Sequence, residues 1–441
     1  MAQTLLKNCR LVNEGVEKEA DVLLSPPFIE CIDSNISHPE AQVHDLQGNY
    51  LLPGLIDDQV HFREPGLTHK GTIASGSKAA LAGGITTFME QPNTNPQTVT
   101  LEALEDKYAR AKETSYTNYS FFLGGTNDNL EVIKSVDPNQ CAGIKLFLGS
   151  STGNMLVDNE EVIERIFSNT PLVIAVHCED ERTIRHNLAL AKEKYGDDIP
   201  MEMHPIIRSE EACYLSSSRA VELARKTGAR LHVFHLSTGR EVPLFDAGPL
   251  ENKQITAEVC IHHLWFSDED YASKGSLIKW NPAVKQASDR MSLRQAVMED
   301  RIDIIATDHA PHTWEEKQNP YTSAPSGGPL VQHALPALWE MKNDIPIAKW
   351  VEKMAHNPAI RFEIDRRGYI REGYYGDLVE VDPTTSWTVE KENVLYQCGW
   401  SPFEGTTFGS KVKRTWLNGV CAYDQGEFIA PGTGMRVTYN R

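Results

Sequence analysis

The chain has no run of about 18 consecutive apolar residues, the length that a membrane-spanning helix requires. A membrane protein is therefore not expected. The first residues, MAQTLLKNCRLVNEG, lack the apolar core and cleavage site of a secretory signal, which makes the cytoplasm the expected compartment. Eight cysteines stand singly, without a C-x-x-C pair and without the density of a disulfide scaffold. Reduced thiols in or near the core are the expectation. Positive charge is also short: 43 Lys and Arg against 61 Asp and Glu leave a net charge of −18. That balance argues against nucleic acid or anionic membrane as a partner, although a few local arginines can still hold a small anion. No G-x-G-x-x-G opens any helical stretch, so a dinucleotide fingerprint is missing.

What is there fits a soluble globular protein of 441 residues, long enough for one large domain and a smaller one. The first fifty residues read as short strands broken by Gly, Pro and Asn, and the last seventy read the same way, with hairpin signals at Asn418-Gly419 and Gln425-Gly426. The middle alternates between apolar, β-branched runs and amphipathic stretches such as TLEALEDKYARAKE and NEEVIERIFSN. Eight strand candidates occur there: LIDDQVHF, GITTFMEQ, NYSFFLG, AGIKLFLG, LVIAVHCE, ARLHVFHLS, QITAEVCIHH and RIDIIATDH. Eight in a βα alternation predict an α/β protein, a (β/α)8 TIM-like barrel, over residues 54–365. Residues 1–53 and 366–441 are expected to form one small β-sandwich domain from both termini.

In such a barrel the active site is built where the strands end. Polar, ligand-type residues collect there: His61 on the first strand, Lys145 in the fourth, His177 and His235 ending the fifth and sixth, and Asp308 ending the eighth. Each alone has a dull explanation, such as a hydrogen-bonded histidine, a snorkelling lysine or a helix N-cap. Together, on five different strands, they predict a metal site. Period-two geometry places His232 and His235 on opposite sides of their strand, and His235, nearer the C-terminal end, is the better ligand. His262 and His263 read as structural, and His309 as a supporting neighbour of Asp308.

A lysine cannot bind a cation as an ammonium. Burial in an apolar strand lowers its pKa, and the neutral amine can add carbon dioxide to give a carbamate able to bridge two metals. Arg63 lies two residues beyond His61, on the same face and at the mouth, where its guanidinium fork suits a carboxylate. The Gly- and Pro-rich stretch SAPSGGPL, Ser323 to Leu330, is either a cover over the mouth or a plain connection.

LLPGLIDDQVHFREPG, PNT, IKLFLG, AVHCED, VFHLST, WNPAV and IATDHAPH together resemble the dihydroorotase family of the amidohydrolase superfamily, and the resemblance runs over nearly the whole chain. It implies a zinc-dependent, reversible cyclisation of N-carbamoyl-L-aspartate to L-dihydroorotate, a step in pyrimidine synthesis. By position, it implies one zinc on His61, carbamylated Lys145 and Asp308, and another on Lys145, His177 and His235. Asp308 would act as general acid/base toward metal-bound hydroxide and the ring nitrogen. Arg63, Asn93 and His312 would bind the substrate carboxylate, and Asn281 the ring amide. A homodimer is a further implication.

The chain departs from the family at one ligand. The pattern has histidine at both ends of H-x-H, and here the first is Gln59. An amide oxygen is a poorer zinc ligand than imidazole, so Gln59 is a doubtful metal contact and one or two ions are expected, the one beside Gln59 held more weakly. Gln59 is expected to face the metal with His61 and Asp57. Three alternatives stay open: a sister cyclic amidohydrolase of the dihydropyrimidinase, hydantoinase or allantoinase kind, a weakly active or non-catalytic paralogue that partners another pyrimidine enzyme, or a sugar- or phosphate-processing barrel without the metal, which the His and Asp at the strand ends disfavour.

Overall fold

The computed structural model describes residues 2–149 and 155–441. Five strands open the chain: β1 (Thr4–Asn13), β2 (Val16–Ser25), β3 (Phe28–Asp33), β4 (Gln42–Asp45) and β5 (Tyr50–Pro53). The middle supplies β6 (Leu55–Val60), β7 (Ile85–Glu90), β8 (Asn118–Phe121), β9 (Leu123–Gly124), β10 (Ile144–Phe147), β11 (Ile174–His177), β12 (Leu231–Val233), β13 (Ile255–Cys260) and β14 (Ile304–Ala306). The end adds β15 (Leu378–Asp382), a short β16–β17 pair (Trp387–Thr388, Thr407–Phe408), β18 (Lys411–Leu417), β19 (Val420–Asp424) and β20 (Glu427–Phe428).

The eight strand candidates of the middle all become strands, paired in parallel as β6-β7-β8 and β9-β10-β11-β12-β13-β14. Only Phe122 separates β8 from β9. The ring closes where Val60 meets His309, with the His61 N–H donating to the His309 carbonyl at 2.7 Å. The amphipathic stretches are helices on the outside. Thr72, Thr100, Asn159 and Ser209 cap the helices Ile73–Ala82, Leu101–Thr114, Glu160–Asn169 and Glu210–Thr227 with their side chains. Strand interiors carry almost no exposed residue, as expected for parallel strands covered by helices.

Both ends of the chain share one nine-stranded sheet, in the order β20-β19-β18-β15-β5-β1-β2-β3, with β4 also on β1. Its hairpins turn where Asn-Gly and Gln-Gly predict: Asn418 and Gly419 have φ of 50° and 78°, which a two-residue turn matched to strand twist requires. The last residues return to the barrel. Val437 and Tyr439 pack with Ile56, Phe122, Phe234 and Phe362 in a buried cluster. No helix among the described residues is long and apolar enough to cross a membrane.

Candidate active site

A narrow cavity of about 50 Å³ opens at the C-terminal ends of the barrel strands. Gln59, His61, Lys145, His177, His235 and Asp308 all line it, as do Arg63, Asn93 and Asn281. Of the predicted site residues, only His312 lies outside its wall, and it touches Arg63. Asp308 caps no helix; the next helix, Trp314–Lys317, is capped by Thr313.

Three of these residues are held in left-handed backbone: Arg63 (φ 73°), His235 (φ 42°) and Asp308 (φ 47°). Each such residue costs about 1–3 kcal/mol and persists only where surrounding contacts enforce it. Here the kinks lie just past β6, β12 and β14 and re-aim side chains that a continued strand would alternate. The expectation for Asp57 fails for a related reason. The β6–β7 register shifts between Asp57 and Val60, and Asp57 turns to Thr307 instead, accepting from its hydroxyl at 2.6 Å.

The ligand-type side chains meet as electron-rich pairs. Asn93 Oδ1 is 2.7 Å from His61 Nδ1 and Asp308 Oδ1 is 3.1 Å from its Nε2, so the one proton of the neutral ring leaves a nitrogen bare beside an oxygen. Glu179 Oε2 is 3.0 Å from His177 Nε2, and His177 Nδ1 shares a hydrogen bond with His235 Nε2 at 3.0 Å. His235 Nδ1 has no partner. Burial lowers the pKa of all three imidazoles, so each is held neutral and keeps one nitrogen lone pair to offer. Neutral imidazoles gathered round a carboxylate in one cavity are a donor set that suits zinc. The residues fit a metal.

Lys145 stands between the pairs. It is 1% exposed, with its Nζ 4.0 Å from the centre of the Phe234 ring and 4.9 Å from that of Phe147. Burial among these rings brings its pKa down to about 7, so a large share of the amine is neutral at physiological pH. Gln59 reaches the cavity, but its amide oxygen lies 3.5 Å from the Cys260 thiol.

At the mouth, Arg63 is buried rather than paired with Glu64 across the surface. Its Nε donates to the Pro311 carbonyl at 3.0 Å, and an Nη lies 3.0 Å from His312 Nε2. Lys70 Nζ lies 3.0 Å from His312 Nδ1 and 2.9 Å from Glu316. Burial, reinforced by Arg63, holds the His312 pKa well below the usual value, so two cations flank a neutral ring. A cleft of about 940 Å³ begins at this point and shares Arg63 and Asn93 with the inner cavity. Ser326 and Gly327 of the SAPSGGPL stretch also wall the cavity, so that segment does lie at the mouth.

Sequence reasoning passed over several residues that hold the site. Glu179 grips both His177 and Arg208, and its place two residues past His177, on the same side of an extended chain, was the available signal. Lys70 and Glu316 left no signal, since their contact with His312 depends on loop paths. His232 stays away from the cavity, as expected, with its Nε2 3.1 Å from Asp58. His309 accepts from the Leu330 N–H at 3.0 Å.

Residues 50–421 match the sequence profile of the amidohydrolase family. A dihydroorotase of Carboxydothermus hydrogenoformans is 32% identical over 95% of this chain and 97% of its own length. One from Halobacterium salinarum is 35% identical over 89% of this chain and 91% of its own. In structure, the L-hydantoinase (dihydropyrimidinase) of Arthrobacter aurescens superposes with a TM-score of 0.94 at 26% identity, covering 99% of this chain and 100% of that one. The chain belongs to the amidohydrolase family, and within it groups with the dihydroorotases.

Proposed function

We propose that this protein is a metal-dependent dihydroorotase, interconverting N-carbamoyl-L-aspartate and L-dihydroorotate with loss or gain of water. The observation that carries the reading is the adjacency of two chemistries. The cations Arg63 and Lys70 around neutral His312 stand beside the cavity walled by His61, Asp308, His177 and His235. A substrate with one carboxylate and one scissile amide matches both.

His177, His235 and a Lys145 carbamate would hold one zinc; His61, the same carbamate and Asp308 would hold a second, with Gln59 a weak ligand or none. When bound, the metal polarises the amide carbonyl and lowers the pKa of water. The rest falls to the protein. Arg63 forks the substrate carboxylate, with Asn93 and His312 beside it, and so fixes the ring against the cavity floor. Asn281 contacts the ring amide. On ring opening Asp308 takes a proton from the water that adds to the amide carbon and passes it to the ring nitrogen as the C–N bond breaks, and closure runs the same transfers in reverse.

The structural likeness to an L-hydantoinase favours one second reading, a sister enzyme acting on uncharged cyclic amides. The deciding experiment is ring opening of L-dihydroorotate by zinc-loaded protein with bicarbonate, beside hydantoin, dihydrouracil and a Lys145→Ala control. Turnover of dihydroorotate that is lost in the control supports the proposal. Turnover of hydantoin or dihydrouracil alone supports the sister enzyme, and no turnover supports a non-catalytic paralogue.

A further inference from the structure

One layer below the candidate centre, the barrel interior holds a second cluster, built from the same strands but from residues that the site does not use. Asp58 of β6, His232 of β12 and Glu258 of β13 are all 0% exposed. His232 Nε2 lies 3.1 Å from Asp58 Oδ2 and 3.8 Å from Glu258 Oε2, and one ligand atom from each residue lies within 4.8 Å of the others.

The hydrogen bonds around the cluster fix its polarity. The Thr256 hydroxyl lies 3.2 Å from the Leu231 carbonyl and 2.8 Å from His232 Nδ1, so with its own proton turned to Leu231 it accepts from Nδ1–H. In that tautomer the ring proton sits on Nδ1, and Nε2 turns its lone pair toward two carboxyl groups, as metal ligation through Nε2 requires. Glu258 Oε1 accepts from the His235 N–H at 3.0 Å and the Cys260 thiol at 3.4 Å. No donor of the protein reaches Glu258 Oε2 or Asp58 Oδ1. Among the described residues, neither carboxyl has a Lys or Arg ion pair. Two buried carboxyls facing one imidazole, without an ion pair to a Lys or Arg among the described residues, require a proton or a metal ion.

We propose that Asp58, His232 and Glu258 form a deep divalent-cation site, separate from the centre at the mouth. Ligand atoms that all lie within 4.8 Å of one another can share one ion, since zinc–nitrogen and zinc–oxygen bonds are about 2.0–2.2 Å long. One imidazole with two carboxylates suits zinc, manganese or iron(II). Thr256, 2.8 Å from Nδ1, is the partner that would accept the ring proton when Nε2 binds the ion. The site would brace three strands beneath the candidate centre, and it does not depend on the reaction proposed above.

The test uses crystals of the full chain grown with zinc or with manganese, and anomalous difference maps collected across each metal's absorption edge. The expected result is a peak within about 2.5 Å of His232 Nε2, Asp58 and Glu258. Asp58→Asn should abolish that peak and lower the bound metal by one equivalent while peaks at the mouth remain. His177→Ala should do the reverse. Absence of the deep peak from wild-type crystals with both metals would overturn the proposal and leave a shared proton joining the carboxyls. Persistence of the peak in both Asp58→Asn and Glu258→Gln would overturn it equally. The wild-type maps decide the matter alone if neither variant folds. Peaks at the deep site without dihydroorotate turnover would uphold this site while removing the proposed reaction.

Discussion

Glu179 Oε2 stands 3.0 Å from His177 Nε2, and Arg208 grips the same oxygen. Burial alone would raise the Glu179 pKa, but Arg208 and His177 outweigh it and bring it down to about 2, so the carboxylate keeps its charge across the working range. That charge orients the ring and makes its other nitrogen a better donor. Partners of this kind are worth about 10–100-fold in metal affinity. Glu179→Gln should therefore weaken zinc binding by about that factor, read by competition with a chromogenic chelator. An unchanged affinity would mean that Glu179 serves only to anchor Arg208.

Arg63 tests the substrate class. A charged hydrogen bond to a carboxylate is worth about 1.5–3 kcal/mol, so Arg63→Met should lower kcat/KM for L-dihydroorotate by about 10–100-fold, with most of the loss in KM. Any slow turnover of uncharged dihydrouracil should change little. Equal losses on both substrates would point instead to collapse of the Pro311–His312 loop that Arg63 holds.

His333 makes the fold acid-sensitive. It is buried against Tyr396 and Ser401, its Nε2 has no partner, and burial lowers its pKa to about 3. Between pH 3 and 6.5 the unfolded chain binds a proton that the folded chain refuses, so stability falls as the pH falls through that window. At pH 5 the cost relative to pH 8 is about 2 kcal/mol from this group. Urea unfolding at pH 8 and pH 5 should give a smaller difference for His333→Gln than for wild type by about that amount. Equal differences would remove His333 as a source.

The sequence makes the barrel legible because parallel strands covered on both faces appear as short apolar runs, and all eight were strands. The metal-type residues are legible for the same reason, since a His, Lys or Asp interrupting such a run stands out. Backbone and loop geometry are harder to read. Period-two reasoning put Asp57 beside Gln59, but the register shift in β6 sends it to Thr307. Nothing in FREPG signals that Arg63 takes a left-handed turn, or that Lys70 and Glu316 converge on His312 across the mouth. Such contacts are set by loop closure between distant segments, which leaves no period in the chain.

Gln59 is the remaining departure, and restoring the histidine is its test. The side chain is 2% exposed and lines the cavity, so Gln59→His places an imidazole two residues before His61 on the same extended segment. Glutamine and histidine are close in volume, and the Cys260 thiol 3.5 Å away is the contact given up, so the cost to packing is small. An added imidazole completes the pair that the strand already half provides. Zinc on the His61 side should tighten by about tenfold or more, equivalent to about 1.4 kcal/mol. The measurement is zinc stoichiometry after dialysis against a weak chelator: wild type should retain less metal than Gln59→His, and the excess should vanish in Gln59→His combined with His61→Ala. Equal retention by wild type and Gln59→His would mean that the amide oxygen, or a ligand recruited from its surroundings, already holds the ion as firmly as imidazole does, and that this centre works fully with glutamine in place.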